Sequence, residues 1–332
     1  MSEIQPQDIV TLARQMREAI ARNDEKALRQ IINAYGAMYQ RLQDKIDVLT
    51  LQIARMEKPT KVAIKKLEAY KLLVNSVNQE LAAFQGYAKT VMQQAASDAV
   101  KAGIANAKVL TYAGNPAVIA KWNTLNPAAI ETLFGYFSEG SALMKRLEEL
   151  APSNAQNVAN TILDNVALGK NPQTIARLIQ NSLGGGLTDA LRMARTVQIY
   201  SYREANRASY LANSDVVRGW WWMSALDTES CMACVAMHGT FHTLDETLND
   251  HHNGMCTMLP AVIGAGNPLG TTGEEWFKAL PEDQQQAYMG KGKFDAWQEG
   301  KFSFGDLVST HKDDVYGDMR GETPLKDLIG NG

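Results

Sequence analysis

The stretch CMACVAMHGTFHTLDETLNDHHNGMC, Cys231 to Cys256, holds all 3 cysteines of the chain and four of its 5 histidines. Cys231 and Cys234 form a C-x2-C pair, a spacing that lets two thiolates reach one metal ion from a tight turn. Cys256 supplies a third sulfur, and His251 and His252 lie just before it. The cluster reads C-x2-C-x16-H-x4-C, or H-x3-C if His252 is the ligand. Three thiolates and an imidazole make a closed tetrahedral zinc site of the structural kind. No position is left for water, which argues against hydrolytic zinc chemistry. Three other readings stay open. The cysteines can be reduced and metal-free. Cys231 and Cys234 can be a redox pair, although no βαβ context surrounds them. Cys256 can be a nucleophile served by a histidine, although no orienting third group is evident. His238 and His242 are alternative ligands, or residues expected to cap a turn or lie at the surface. His311 is isolated.

The elements that must position this cluster are mostly helical. From Tyr35 to Phe84 two apolar stripes step by three and four: Tyr35, Met38, Leu42, Ile46, Leu49, Ile53 and Met56, then Ala63, Leu67, Tyr70, Val74, Val77, Leu81 and Phe84. Each stripe fits one helix face. Pro59 disfavours helix at Lys58, and Thr60 can cap the second helix. The pattern predicts an antiparallel hairpin over 35–84 with arms of about 35 Å. Its tip carries Arg55, Lys58, Lys61, Lys65 and Lys66, a solvated turn or a contact to DNA or to an acidic partner.

Further on, a helix is expected over 128–150. A break comes at Pro152-Ser153-Asn154, then helices over 154–168 and 172–183. Gly184-Gly185-Gly186 reads as a joint, and Thr188 as the cap of a helix to Leu211. VVRGWWWMSALD reads as a strand with Trp220 and Trp222 on one face and Trp221 on the other. Three adjacent tryptophans suit a core strand; a stacking platform for bases is the alternative. GAGNPLG has no lysine of the phosphate-loop type and reads as a linker. Short helices and turns are expected from there to the end. The fold class is therefore mainly α with a small α+β module, in three consecutive segments: 1–150 helical, 151–263 carrying the Cys/His module, and 264–332 a tail.

A length of 332 residues permits two or three domains. The net charge of −3 argues against charge-driven nucleic-acid binding over the whole surface. No apolar run approaches the ~20 residues of a membrane span, and MSEIQPQDIVTLARQMREAI has no signal-peptide core, so a cytoplasmic site of synthesis is expected. The cysteines are too few for a disulfide scaffold.

The order of motifs resembles a known family. Ala194-Arg195-Thr196 precedes the tryptophan strand. Asp227 stands four residues before Cys231, Gly239-Thr240-Phe241 comes after Cys234, and HHNGMCTMLP closes the module. This resembles the Mu F-like head morphogenesis family, the minor head proteins of tailed phages. That family typically ends the module with a His-Pro-Asn-Cys-Arg-Cys-Thr-like segment and a nearby proline. His251, Asn253, Cys256, Thr257 and Pro260 match it. Gly254 and Met255 stand where a cysteine and an arginine are usual, and Val197 where a glutamate is. The tail, from Trp276-Phe277 through Leu325 to Leu328, is also similar, so the resemblance covers roughly 155–332.

The resemblance implies a structural protein and not an enzyme, located in the virion head and assembled in the host cytoplasm. Its expected partners are the portal protein and the major capsid protein, with no membrane or small-molecule substrate; the hairpin lies outside the resemblance, and DNA contact at its tip stays the alternative to a solvated turn. The expected metal site is a structural zinc on Cys231, Cys234, His251 and Cys256. The alternatives are a DNA-binding protein that organises the genome or is ejected with it, and an ADP-ribosyltransferase-type effector. The second is disfavoured by Val197 and by the plain helical N-terminal region.

Overall fold

A computed structural model describes residues 6–127, 135, 141–167, 170 and 172–330. It is mainly helical with small antiparallel sheets in the later part, as the sequence predicts. Helix α1, Pro6–Ala54, and helix α3, Glu68–Gly114, flank a turn and the short α2, Lys61–Lys66. The hairpin exists, but its arms have 49 and 47 residues, about 70 Å each at 1.5 Å per residue. The stripe does not stop at Tyr35; it continues back through Ile31, Leu28, Ile20, Ala13 and Ile9. On α3 it continues through Ala88, Ala96, Ala99, Ala107 and Ala113, small residues with little hydropathic contrast.

Tyr35, Met38, Leu42, Ile46, Leu49 and Ile53 are buried as expected. The second stripe is corrected in its first half. Ile64, Ala69 and Leu73 are buried in place of Ala63, Leu67, Tyr70 and Val74. The cause is a break in phase: Leu67 is extended (φ −65°, ψ 130°), so α2 ends there and α3 starts afresh. Thr60 caps α2 as expected, its side chain accepting from the Ala63 N–H.

Helix α4, Ala142–Ala167, and helix α5, Pro172–Leu211, overturn two expected breaks. Helix α4 runs through Pro152, and α5 runs through Gly184-Gly185-Gly186 and Thr188. Burial of Val158, Ile162 and Leu163 on α4, and of Leu183, Ala190 and Met193 on α5, outweighs the local penalties of proline and glycine. The helix expected over 128–150 falls partly outside the described residues; its last part belongs to α4.

The chain divides into two compact units. One comprises 23–95 and 135–195, with α2 and α4. In it α1 meets α3 through the Tyr35–Phe84 ring contact and a bidentate Arg41–Glu80 pair. The other comprises 1–22, 96–134 and 196–332. The units are interleaved in sequence and cut across the three consecutive segments read from it.

The second unit contains the remaining elements. Strand β1, Val217–Met223, lies between β2, Phe241–His242, and β3, Thr257–Val262, both antiparallel to it. Trp220 and Trp222 are fully buried while Trp221 is half-buried, the expected core strand. Pro260 sits opposite Trp220 on the edge strand β3, where no ladder bond needs its missing N–H. Between β1 and β2 lies α6, Met232–Met237. Three short helices come next: α7, Gly273–Lys278; α8, Glu282–Met289; and α9, Lys291–Gln298. The expected tail of helices and turns also holds a β-hairpin, β4 (Val308–Asp313) with β5 (Gly317–Glu322), before α10, Leu325–Leu328. It belongs to the same unit as the cysteine module.

Candidate metal centre

Cys231 is the N-cap of α6. Its sulfur accepts from the Cys234 N–H at 3.4 Å, so one helix turn sets the spacing of both thiols. The turn before it is held by Asp227, whose Oδ1 accepts from the Glu229 N–H and the Ser230 hydroxyl. His251 enters from the loop between β2 and β3, its Nε2 3.5 Å from the Cys234 sulfur. Its Nδ1 lies 2.9 Å from the His252 carbonyl. That bond places the proton on Nδ1 and leaves the Nε2 lone pair facing the sulfurs, the arrangement of a metal-ligating imidazole. His252 turns away, with its Nε2 3.3 Å from Asp313. The spacing alone leaves the choice between the two histidines open; the geometry selects His251.

The ligand atoms of Cys231, Cys234 and His251 all lie within 4.8 Å of one another. Cys256 joins through Cys234, in a second set with Asp250 at the same spacing. The four expected ligands are thus gathered around the Cys234 sulfur, but they do not form a single set at that spacing. Asp250 is otherwise engaged. Both its oxygens accept from Arg203, at 2.6 and 2.7 Å, and both side chains are 3% exposed. Sulfur and nitrogen donors in this proportion suit zinc, and Cys231, Cys234, His251 and Cys256 are the residues that would hold it.

Without metal the same groups polarise one another. The Cys234 thiol and the His251 ring hold the Cys231 thiol down to about 4 against the cost of burial. Cys231 in turn pushes His251 up to about 9. Cys234, hydrogen-bonded to Cys231 and Cys256 and buried, is pushed far up. Without metal, both shifts run toward a thiolate at Cys231 and a protonated ring at His251. A cavity of about 230 Å³ opens beside them, with Glu18, Asp227 and Glu229 on its walls. If a cysteine of this cluster is reactive, it is Cys231 and not the Cys256 suggested by the sequence.

Arg203 and Asp250 do not stand out in the sequence. Besides gripping Asp250, Arg203 donates to the carbonyls of Gly254 and Cys256 at 3.2 and 2.8 Å, and the Cys256 N–H donates to Asp250. Together they fold the loop from His251 to Cys256 onto α5. Asn253 takes a left-handed conformation there (φ 63°), which Asn tolerates better than most residues. A Cβ at Gly254 would lie 2.2 Å from the Asp250 carboxylate, so no cysteine fits where the resembled pattern has one. Met255, in the usual arginine position, packs against Ile20, Ala99, Ile199 and Tyr202. Val197 is buried, which leaves no room for an ionised glutamate.

The β4–β5 hairpin braces the same loop. Arg320 donates from its backbone to the Asn249 carbonyl and from its guanidinium to the Thr247 carbonyl. Asn249 donates to the Tyr316 carbonyl. On the other half of the site, Glu322 accepts from the Met232 N–H at the start of α6.

His238 and His242 are neither ligands nor surface residues. Both are buried. His238 Nδ1 accepts from the Ser224 N–H, and His242 stacks on Trp220 at 4.3 Å. His311 is exposed on β4. Phe241, two residues after Gly239, meets Trp221 edge-on. At the hairpin tip, in the other unit, Arg55, Lys58, Lys61, Lys65 and Lys66 are all exposed, and Lys61 is paired with Asp164. No described helix is long and apolar enough to cross a membrane.

Comparison of the chain with family models, with curated proteins and with solved structures gives no match.

Proposed function

We propose that this chain is a structural minor head protein of a tailed bacteriophage, with its cysteine module held by one zinc ion. The observation that carries the reading is the shared location of the motif residues. Asp227, Cys231, Cys234, His251, Asn253 and Cys256 all build one knuckle, each with a defined structural task. That is the requirement of a module kept for its shape. Zinc at the knuckle ties α6 to the loop before β3, so its binding free energy is part of the folding free energy. The long hairpin suits docking against helical partners, with the portal protein and the major capsid protein as the proposed ones. Arg55, Lys58, Lys65 and Lys66 at its tip are the proposed contact to packaged DNA.

Mass spectrometry of purified particles, full and DNA-emptied, tests this. The protein is expected in full particles at low copy number. Retention after DNA release marks a fixed head part, and loss with the DNA marks the ejected alternative. Absence from full particles contradicts the reading.

A further inference from the structure

We propose that the unit containing the cysteine module carries a second site, a pocket for a small organic anion, with Arg14, Arg17 and His238 binding a phosphate or carboxylate group. A cleft of about 420 Å³ lies between the first turns of α1 and the loops around α6 and α7. That volume falls within the range of small-molecule sites. Every ionisable residue on its wall is basic: Arg14, Arg17 and His238. The neighbouring cavity beside the cysteines, which shares Arg17, differs in carrying Glu18, Asp227 and Glu229.

The basic groups are set out for a ligand. Val10, Arg14 and Arg17 stand at i, i+4 and i+7 on α1, one stripe of that helix. Neither arginine has an ion-pair partner among the described residues. His238 is 4% exposed, and its Nδ1 accepts from the Ser224 N–H at 3.1 Å. The neutral ring therefore carries its proton on Nε2, for which no acceptor is present among the described residues. That N–H is free to donate to an anion in the cleft. Leu226, also on the wall, has a left-handed backbone (φ 56°), strain that tends to gather at binding sites. The remaining wall is apolar, from Val10, Met223, Leu269 and Trp276. Guanidinium forks match phosphate and carboxylate oxygens; the apolar wall adds a demand for a hydrophobic body. Bare phosphate, a neutral aromatic and a nucleic-acid backbone each meet only part of it. None of this depends on the metal or on the proposed role in a phage head.

Calorimetry and Trp276 fluorescence on the full chain test the site, with phenyl phosphate, benzoate, inorganic phosphate and phenol as probes. Phenyl phosphate or benzoate is expected to bind with submillimolar affinity, phenol not to bind, and inorganic phosphate to bind more weakly. Arg14→Gln and Arg17→Gln, on the outer part of α1, are expected each to weaken binding about tenfold with the circular dichroism and zinc content unchanged. No binding of either organic anion, binding equal in wild type and both variants, or inorganic phosphate binding as tightly as phenyl phosphate would overturn the proposal. So would DNA oligonucleotide binding that depends on these arginines with no response to phenyl phosphate.

Discussion

Removing the Asp250 carboxylate leaves the Arg203 guanidinium buried with only the Gly254 and Cys256 carbonyls. Breaking one side of a buried pair costs about 3–5 kcal/mol, whereas replacing both partners by apolar residues costs far less. Asp250→Ala is therefore expected to lose stability in that range by urea denaturation, and Arg203→Met with Asp250→Leu distinctly less; a loss below about 1 kcal/mol for Asp250→Ala contradicts the clamp. His238 gives a pH dependence. Burial lowers it from 6.5 to about 4. Above about pH 7 both folded and unfolded rings are neutral, so it has no effect there. Between 6.5 and 4 the unfolded chain takes up a proton that the folded chain refuses, so stability falls with pH, by up to roughly 3 kcal/mol from this group. An NMR titration of the His238 ring is expected to show a midpoint near 4, and a midpoint near 6.5 would contradict it. At this scale the cysteines were legible because metal spacing is local. Arg203 was not, because a charge on an amphipathic helix looks the same whether it faces water or a carboxylate 47 residues away. Nor could spacing separate His251 from His252; the carbonyl that accepts from His251 Nδ1 does.

Helix packing makes the next test. A Cβ at Gly103 on α3 would lie 2.6 Å from the Tyr202 carbonyl oxygen and 2.7 Å from the Ala205 Cβ on α5, so the two helices approach as closely as glycine allows. Gly86, on the same helix, has nothing within 4 Å of that position. Gly103→Ala is expected to destabilise by about 1–3 kcal/mol. Gly86→Ala is expected to stabilise by about 0.5–1 kcal/mol, through helix propensity alone. Thermal melts of both variants read the signs, and the same sign for both would refute the close approach. The hairpin and the tryptophan strand were legible because apolar spacing and β-branched density are strong local signals. The helix continuing through Pro152 and through three glycines was not, since there burial of distant apolar residues overrides the local preference. The β4–β5 hairpin was missed for another reason: Val308–Asp313 and Gly317–Glu322 are mostly polar and half-exposed, with little alternation to read.

Two compact units share three long helices, and no local composition marks where one unit ends. That is why the sequence reads as three consecutive segments where the chain interleaves two units. It also explains why the C-terminal segment, a tail by sequence, supplies the hairpin that braces the cysteine module, Arg320 at the loop before β3 and Glu322 at the start of α6. The central claim is that the Cys/His cluster is a metal staple on which this unit depends. Zinc content by elemental analysis, measured beside melting temperature for wild type, Cys256→Ser and His251→Ala, tests it most directly. The account predicts about one zinc per chain in the wild type, lost in both variants together with stability. No metal in the wild type, or variants that melt where it does, would contradict the staple and leave the three cysteines as packing residues.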